Sequence, residues 1–341
     1  MASFDPLLIA HVGAGNHSLQ NRSRLKQLLK RALETEKLDS ASAILESSLL
    51  TNTGYGSSLD LEGNVTCDAS FMIIETAKCF RIGSAYNIRR KTPIIETMGL
   101  FDSIVKKYHH NKIGLTQPVL VDFERTAKLI LGFSDPEDLV SARSKAVYDA
   151  NLLRVEDFHG VPARLQDVSD TIGLIMVDEQ TTILATSLGG NFFKIPGRIG
   201  CAATIGAAIW SCSRDEYQVS VMCSGNGEDI VMMNLARQIA EKMLLEYDSG
   251  RDLTVSDSIV QICQSHRNLL PLTATNQDGN PIIYVGVICI LHNTKTHKIT
   301  LAFCHSTESF VFGYKTTSGR PEVIFSTLHK SGEFARGELK I

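Results

Sequence analysis

The stretch Ser169-Asp170-Thr171-Ile172-Gly173-Leu174-Ile175-Met176-Val177 lies at the middle of the chain, where an acidic residue and a threonine precede an apolar run. This run ends at the polar turn Asp178–Thr181, and the pattern predicts a buried strand in a hairpin. If the bond between Asp170 and Thr171 is cut, Thr171 gains a free α-amine beside its hydroxyl. The two groups together form a nucleophile with its own base. The function therefore depends on whether this bond is cut.

The composition is that of a globular protein with a sizeable core. The chain has 341 residues, of which 43% are hydrophobic and 21% charged, and its formal net charge is −3. This weak charge gives no general attraction to nucleic acid or to an anionic membrane, so neither is predicted as a partner. The basic cluster Arg89-Arg90-Lys91 is interpreted as solvated surface.

The sequence predicts an intracellular protein, in the cytoplasm, the nucleus or both. No apolar stretch approaches the roughly 20 residues that cross a bilayer, and the N-terminus lacks the pattern of a signal peptide. The eight cysteines have no CxxC spacing and are interpreted as reduced core residues. The ten histidines show no metal-ligand spacing, so no metal and no cofactor are predicted.

The pattern of apolar residues predicts strands and helices in both halves of the chain. Strands are predicted at Leu7–Val12, Val65–Ile74, Arg81–Tyr86, Thr171–Val177, Thr182–Ser187, Val219–Cys223, Ile282–Leu291, Thr300–Cys304 and Ser309–Tyr314. Helices are predicted from a cap at Ser23, after Asp39-Ser40, over Pro93–Lys106, after the segment Ser224–Asp229 to about Tyr247, and over Ile259–Cys263 after a cap at Thr254. The polar segment from about 134 to 170 is interpreted as a mobile connector. This order predicts an α+β fold with two packed sheets and helices outside.

Six stretches in order along the chain resemble the asparaginase-like family of N-terminal-nucleophile (Ntn) hydrolases. They most resemble its taspase branch, the threonine aspartases. The stretches are His11–Ser18, Asn52–Ser57 with Cys67–Ser70, Asp170–Gly173, Gly189-Gly190 with Pro196–Gly200, Ser224–Glu228 and His305–Ser309.

The resemblance implies a four-layer αββα sandwich and a precursor that cuts itself before Thr171. Residues 1–170 would then form the α-subunit half of a single Ntn domain, ending in the connector at about 134–170, and residues 171–341 the β-subunit half. It also implies a homodimer of such αβ units. The implied substrates are asparagine amides, isoaspartyl peptides or, in the taspase branch, peptide bonds after aspartate in proteins.

The resemblance and the residue chemistry together give a set of candidate site residues. Thr171 is the nucleophile, and Asn52 matches an active-site asparagine close to it. Arg198 matches an arginine that holds the substrate carboxylate in a bidentate pair. The remaining candidates follow a strand and a loop: Asn226 and Gly227 can stabilise an oxyanion at the start of a helix, and Gly225 and Cys201 are expected to contact the substrate.

Three departures from the family pattern leave alternatives open. Leu188 stands where the family has a hydroxyl residue that supports the nucleophile, although Ser187 beside it offers a hydroxyl. Cys201 replaces the polar residue that contacts the substrate, which disfavours recognition of an α-amine. The basic insert of nuclear taspases is absent or much shorter. The leading prediction is a self-processing threonine hydrolase that cuts after aspartate. The alternatives are a β-aspartyl peptidase or asparaginase, and an uncleaved scaffold without activity.

Overall fold

A computed structural model describes residues 4–75, 79–109, 116–132, 135–156, 171–247, 254–267, 272–276 and 278–341. The proposed processing residue Asp170, and the last part of the predicted connector from 157 onward, lie outside these described residues. Thr171, on the other side of the predicted cleavage bond, is described.

Three strands and three helices of the first half follow the predicted apolar pattern, whereas a strand and a helix between residues 120 and 131 were not predicted. The strands are β1 (Leu7–Gly15), β2 (Cys67–Glu75), β3 (Cys79–Ile88) and β4 (Leu120–Asp122), and the helices are α1 (Arg22–Leu33), α2 (Leu38–Glu46), α3 (Pro93–His109), α4 (Phe123–Leu131) and α5 (Ala142–Glu156). The prediction of a cap at Ser23 was wrong. A short 3-10 turn at Leu19–Asn21, capped by Ser18, leads into α1 instead. Helix α5 occupies part of the segment that was interpreted as a connector.

The second half contains more strands than the sequence predicted. Its strands are β5 (Ile172–Val177), β6 (Thr181–Leu188), β7 (Ile209–Arg214), β8 (Tyr217–Gly225), β9 (Val285–Asn293), β10 (Lys298–His305), β11 (Ser309–Thr316), β12 (Glu322–Thr327) and β13 (Ala335–Lys340), and its helices are α6 (Gly227–Met233), α7 (Leu235–Tyr247) and α8 (Val255–Arg267). The single long helix predicted to Tyr247 is broken at Asn234, whose φ of 47° is left-handed. Asparagine tolerates this conformation better than most residues do.

The cap predicted at Thr254 is confirmed. The Thr254 hydroxyl accepts a hydrogen bond from the Asp257 N–H at 3.1 Å and donates one to the Asp257 carboxylate at 2.7 Å. This arrangement satisfies one of the N–H groups that the first turn of α8 leaves without a partner inside the helix.

The described strands form two sheets, and Thr171 lies at the start of a central strand in the larger one. The larger sheet has eight described strands in the order β12-β11-β1-β5-β6-β2-β3-β4, and the smaller has five in the order β13-β10-β9-β8-β7. Because β5 lies between β1 and β6, its start is enclosed on both sides. The predicted class, a mixed fold of helices and two sheets, is confirmed.

The burial pattern shows which way the side chains of β5 face. Ile172 and Leu174 pack with helices α1–α4 in one core cluster, whereas Ile175 and Val177 belong to a cluster shared with the smaller sheet. A Cβ on Gly173 would lie 3.0 Å from the sulfur of Met222 in β8. Side chains alternate between faces along a strand. Thr171 therefore faces the smaller sheet.

Candidate active site

Thr171 is 2% exposed, and the chain enters β5 directly after it. The imidazole of His11 in β1 hydrogen bonds to the Thr171 backbone, and its Nδ1 accepts the Gly13 N–H at 3.2 Å. Burial lowers the pKa of His11 to about 3, so the ring is neutral and its Nε2–H donates to the Thr171 carbonyl. His11 thus positions the backbone of the candidate nucleophile.

Gly173 is required next to Thr171 because His11 occupies the space beside it. The two residues pair across β1 and β5, and a Cβ on Gly173 would lie 2.3 Å from the His11 Nε2. The glycine thus permits the close approach of the imidazole that holds Thr171.

Cys201 brings a thiol to the candidate nucleophile. Its side chain is fully buried and hydrogen bonds to the side chain of Thr171. Burial raises the pKa of Cys201 to about 11, so the group is a neutral thiol at cellular pH. A neutral thiol cannot form an ion pair with a substrate ammonium group, which agrees with what the sequence predicts for this position.

Arg198 presents two unpaired donors to the same space. Its Nε donates to the Glu228 carboxylate at 2.7 Å, and only 14% of its side chain is exposed. The terminal nitrogens Nη1 and Nη2 are buried and have no hydrogen-bond partner among the described residues. A Cβ on Gly227 would lie 3.1 Å from Arg198 Nη2 and 3.7 Å from Cys201 Sγ. The Arg198 guanidinium and the Cys201 thiol therefore both border the space beside Gly227.

Two further charged side chains lie beside Arg198. The sequence analysis gave neither of them a role, although Asp68 belongs to the quoted stretch Cys67–Ser70. Lys194 is 5% exposed and donates to the Thr66 carbonyl at 2.6 Å, whereas the Asp68 carboxylate accepts the Gly200 N–H at 2.7 Å. Burial raises the pKa of Asp68, and the charges of Lys194 and Arg198 oppose that shift. The signal in the sequence was an aspartate at the start of an otherwise apolar strand. A carboxylate that is buried in such a strand is costly in free energy unless it has a charged or hydrogen-bonding partner.

Asn52 holds the loop that follows β6. Its carboxamide donates to the Gly190 carbonyl at 2.8 Å and accepts the Ser58 N–H at 2.9 Å, and its own carbonyl accepts the Gly189 N–H at 2.6 Å. All of these contacts are made within the protein. The structure therefore gives Asn52 a positioning role in the loop, and a direct contact with substrate stays a prediction.

The segment from Gly225 to Gly227 joins β8 to α6. Gly225 has a φ of 129°, and a Cβ there would lie 2.3 Å from the Tyr284 carbonyl, so this glycine packs against backbone. The Asn226 side chain accepts the N–H groups of Glu228 and Asp229 at 3.1 and 3.3 Å and donates to Thr273 at 2.9 Å. The Asn226 carboxamide is thus engaged as a helix cap.

Gly227 is the better placed of the two predicted oxyanion donors. It is the first residue of α6 and buried, and the Asn226 cap bonds to the next two N–H groups. No acceptor among the described residues is bonded to the Gly227 N–H. A helix N-terminus favours negative charge, so this N–H suits an oxyanion.

The structure turns the Ser187 hydroxyl away from Thr171. Ser187 pairs with Ile172, which faces helices α1–α4, and it donates to the Glu46 carboxyl at 2.7 Å. The suggestion that Ser187 could replace the missing hydroxyl was therefore wrong, because a one-residue step along a strand reverses the face. Thr186 does lie on the same face of the sheet as Thr171, but its hydroxyl donates to the Ile172 carbonyl at 2.8 Å.

Leu188 lies on the face of Thr171, which leads to a testable prediction. It is 6% exposed and packs in the same cluster as Cys201. Replacing Leu188 with threonine is expected to speed cleavage before Thr171 by about 100-fold, because a single polar group at an active site is worth about that much. The rate at which the two fragments form, followed by intact mass, measures the effect. Leu188→Val is the matched control, since valine has the shape of threonine without its hydroxyl; equal rates for both variants would contradict the prediction.

Metal sites and membrane-spanning helices were also sought in the described residues. Within the described parts of the chain, no three His, Cys, Asp or Glu side chains come together in a way that suits a metal ion. None of the described helices is long and apolar enough to cross a membrane.

Comparison with known proteins identifies the relatives of the chain. A family profile described as Asparaginase matches residues 134–285. A plant-type L-asparaginase of Pyrobaculum calidifontis is 26% identical over 260 residues, covering 69% of this chain and 80% of the relative. A plant-type L-asparaginase of Pyrococcus abyssi is 23% identical over 297 residues, covering 80% and 90%. An isoaspartyl peptidase/L-asparaginase of Xenopus laevis is 27% identical over 255 residues, covering 70% and 76%.

These relatives are asparaginases and an isoaspartyl peptidase, and the chain is similar to them over much of its length. This similarity confirms the resemblance to the asparaginase-like Ntn hydrolases that the motifs predicted. The special likeness to the taspase branch stays a prediction, since the relatives named above are asparaginases and isoaspartyl peptidases.

Proposed function

We propose that this protein hydrolyses amide bonds of aspartyl derivatives, as an L-asparaginase or isoaspartyl peptidase does, with Thr171 as nucleophile. The observation that carries the proposal is the guanidinium of Arg198. Its two terminal nitrogens are buried and have no hydrogen-bond partner among the described residues. They lie close to the Cys201 thiol, which hydrogen bonds to the Thr171 side chain. Unpaired buried donors are costly, so this pair of nitrogens suits a substrate carboxylate.

The proposed reaction begins when the bond before Thr171 is cut and its α-amine becomes free. An α-amine has a pKa of about 8, so a large fraction is neutral at cellular pH and can take the hydroxyl proton. The hydroxyl oxygen attacks the substrate carbonyl, and the Gly227 N–H stabilises the resulting oxyanion. The amine nitrogen then protonates the leaving group, and water hydrolyses the acyl-enzyme.

The proposal includes the finer fold and the maturation that the resemblance implies. The contacts of α1–α4 with the larger sheet, of α6–α8 with the smaller sheet, and of the sheets with each other support a four-layer αββα sandwich. In that arrangement residues 1–170 and 171–341 stay associated after cleavage, because β5 pairs with β1 from the other half.

The experiment that tests this function measures three activities of the purified, fully incubated protein. These are ammonia release from L-asparagine, cleavage of a β-aspartyl dipeptide, and cleavage after aspartate in an α-linked peptide. Turnover of either of the first two supports the proposal. A full-length mass that never changes, without any turnover, would overturn it and favour the uncleaved scaffold.

A second candidate, cleavage after aspartate inside polypeptides, is favoured by Cys201. Free asparagine and N-terminal β-aspartyl residues carry an ammonium group next to the carboxylate, and the neutral thiol of Cys201 offers it no charge. An internal aspartate has no such group. Acetylating the α-amine of the β-aspartyl dipeptide separates the candidates: faster cleavage of the acetylated peptide supports the second, and slower cleavage supports the first.

A further inference from the structure

Asp68, near the start of β2, carries a buried carboxyl group on the same face of the larger sheet as Thr171. It pairs with Leu188 of β6, and the register of β5 and β6, continued by one residue, places Leu188 opposite Thr171. Residues that pair directly across neighbouring strands project from the same face. Thr171, Leu188 and Asp68 therefore form a row across β5, β6 and β2. Since neighbouring strands lie about 4.8 Å apart, the Cα atoms of Thr171 and Asp68 are about 10 Å apart.

The carboxylate of Asp68 has an oxygen that a ligand can use. Its Oδ2 accepts the Gly200 N–H at 2.7 Å, whereas no described residue donates a hydrogen bond to its Oδ1. A Cβ on Gly200 would lie 3.0 Å from Asp68 Oδ2 and 3.1 Å from Arg198 Nη1, so the carboxylate and the guanidinium border the same space. Arg198 and Lys194 are both described, and neither forms an ion pair with Asp68 within 4.0 Å. The gap between these opposite charges can therefore admit a small charged group.

The charges around this space suit a ligand that carries both signs. Burial raises the pKa of Asp68, while the charge of Lys194, the hydrogen bond from Gly200 and the charge of Arg198 oppose that rise. A buried carboxylate without a cation in direct contact is costly, and an ammonium group bonded to Oδ1 would reduce this cost. Arg198 is paired with Glu228, and Lys194 lies near Asp68, so these four charges balance. A ligand with one carboxylate and one ammonium group preserves that balance, whereas a carboxylate alone leaves one negative charge in excess.

We propose that Asp68 determines the specificity of the site by binding the α-ammonium group of an aspartyl substrate whose α-carboxylate is held by Arg198. The inference rests on the proposed function and names, within it, substrates that have a free α-amine. The neutral thiol of Cys201 offers the ammonium group no charge, and Asp68 supplies that charge from β2 instead. With its reacting carbonyl at Thr171, the aspartyl group lies over Leu188 and its ammonium group reaches Asp68.

The main test compares a β-aspartyl dipeptide with the matching succinyl peptide, in which hydrogen replaces the α-amine. For the wild type, kcat/KM is expected to be about 10- to 100-fold higher with the β-aspartyl dipeptide, which is the value of a hydrogen bond to a charged group. Asp68→Asn keeps the shape of the side chain and an acceptor for the Gly200 N–H but has no charge. We expect it to lose this preference, mainly through a higher KM for the β-aspartyl dipeptide. A variant with the preference of the wild type would overturn the proposal.

Glu228→Gln is the matched control, because Glu228 carries the other carboxylate beside Arg198. This variant weakens the support of the Arg198 guanidinium, so both peptides are expected to be turned over less efficiently by a similar factor. The ratio between the two peptides should therefore stay that of the wild type. Loss of the preference in Glu228→Gln would assign the ammonium group to Glu228 and count against Asp68.

A binding measurement decides the matter if Asp68→Asn does not fold or if no peptide is turned over. L-Aspartate and succinate carry the same two carboxylates and differ in the ammonium group. By calorimetry, the wild type and Glu228→Gln are both expected to bind L-aspartate at least about tenfold more tightly than succinate. Equal affinities in the wild type, or a preference that Glu228→Gln loses, would overturn the inference. Absence of turnover contradicts the proposed function, whereas turnover without any preference for the free amine contradicts only the role of Asp68.

Discussion

Replacing Thr171 with valine is expected to leave the chain in one piece and to abolish its turnover of aspartyl substrates. Valine keeps the shape of threonine at a position that is only 2% exposed, so the packing at the start of β5 is preserved. Self-cleavage and turnover both begin with attack by the missing hydroxyl. Loss of a nucleophile in hydrolases costs about 10⁴- to 10⁶-fold in kcat, and we expect an effect in that range.

Intact mass after prolonged incubation measures the first part of this prediction. The wild type is expected to give two fragments, residues 1–170 and 171–341, while Thr171→Val gives the full-length chain alone. Thr171→Ser is the matched control, since it retains a hydroxyl and is expected to cleave. If Thr171→Val produced the same two fragments, another protease would be cutting the bond, and self-processing would be excluded.

Replacing Arg198 with lysine is expected to raise KM about 100-fold for substrates that carry a free carboxylate next to the scissile group. Lysine keeps the positive charge but lacks the planar pair of donors, and it also loses the contact of Arg198 Nε with Glu228. Hydrogen bonds to charged groups contribute about 1.5–3 kcal/mol each, and a loss of about 3 kcal/mol corresponds to about 100-fold.

Two controls separate recognition of the carboxylate from a general effect on the fold. Arg237→Lys changes a similar side chain, which pairs with Glu241 and lies over Trp210 in a different part of the molecule. This variant is expected to keep the KM of the wild type. A substrate whose carboxylate is capped as an amide should bind wild type and Arg198→Lys equally weakly. An Arg198→Lys variant that distinguished the free from the capped substrate as strongly as the wild type does would show that another group holds the carboxylate.

The sequence predicted those elements whose apolar pattern is local and strong. The buried face of α1, the hairpin of β5 and β6, and the cap at Thr254 are all confirmed, because each depends on residues a few positions apart. Strands β7, β12 and β13 were not predicted. They contain half-buried or exposed positions, so their own sequences show no clear strand pattern. Hydrogen bonding to the neighbouring strands holds them in the extended conformation.

Candidate site residues that lie in recognisable motifs could be predicted from the sequence. Residues that join the site only because the fold brings them together could not. Thr171 and Arg198 were predicted from their motifs, and both lie next to the Cys201 thiol, while their roles stay predictions. Lys194 and Asp68 were given no role because nothing in their spacing relates them to Arg198. The cap formed by Asn226 was likewise hidden, since an asparagine before a helix is compatible with either a cap or an oxyanion donor.

The sequence by itself determined the apolar run after Thr171, the class of fold and the residues able to act as nucleophile and carboxylate ligand. The tertiary structure decided which hydroxyls face the nucleophile and which charged groups surround Arg198. It turned Ser187 toward Glu46 and left Leu188 on the side of Thr171. The physical reason is that a side chain's direction follows the register of its strand, and residues more than 100 positions apart, such as Glu46 and Ser187, meet only through the order of the strands.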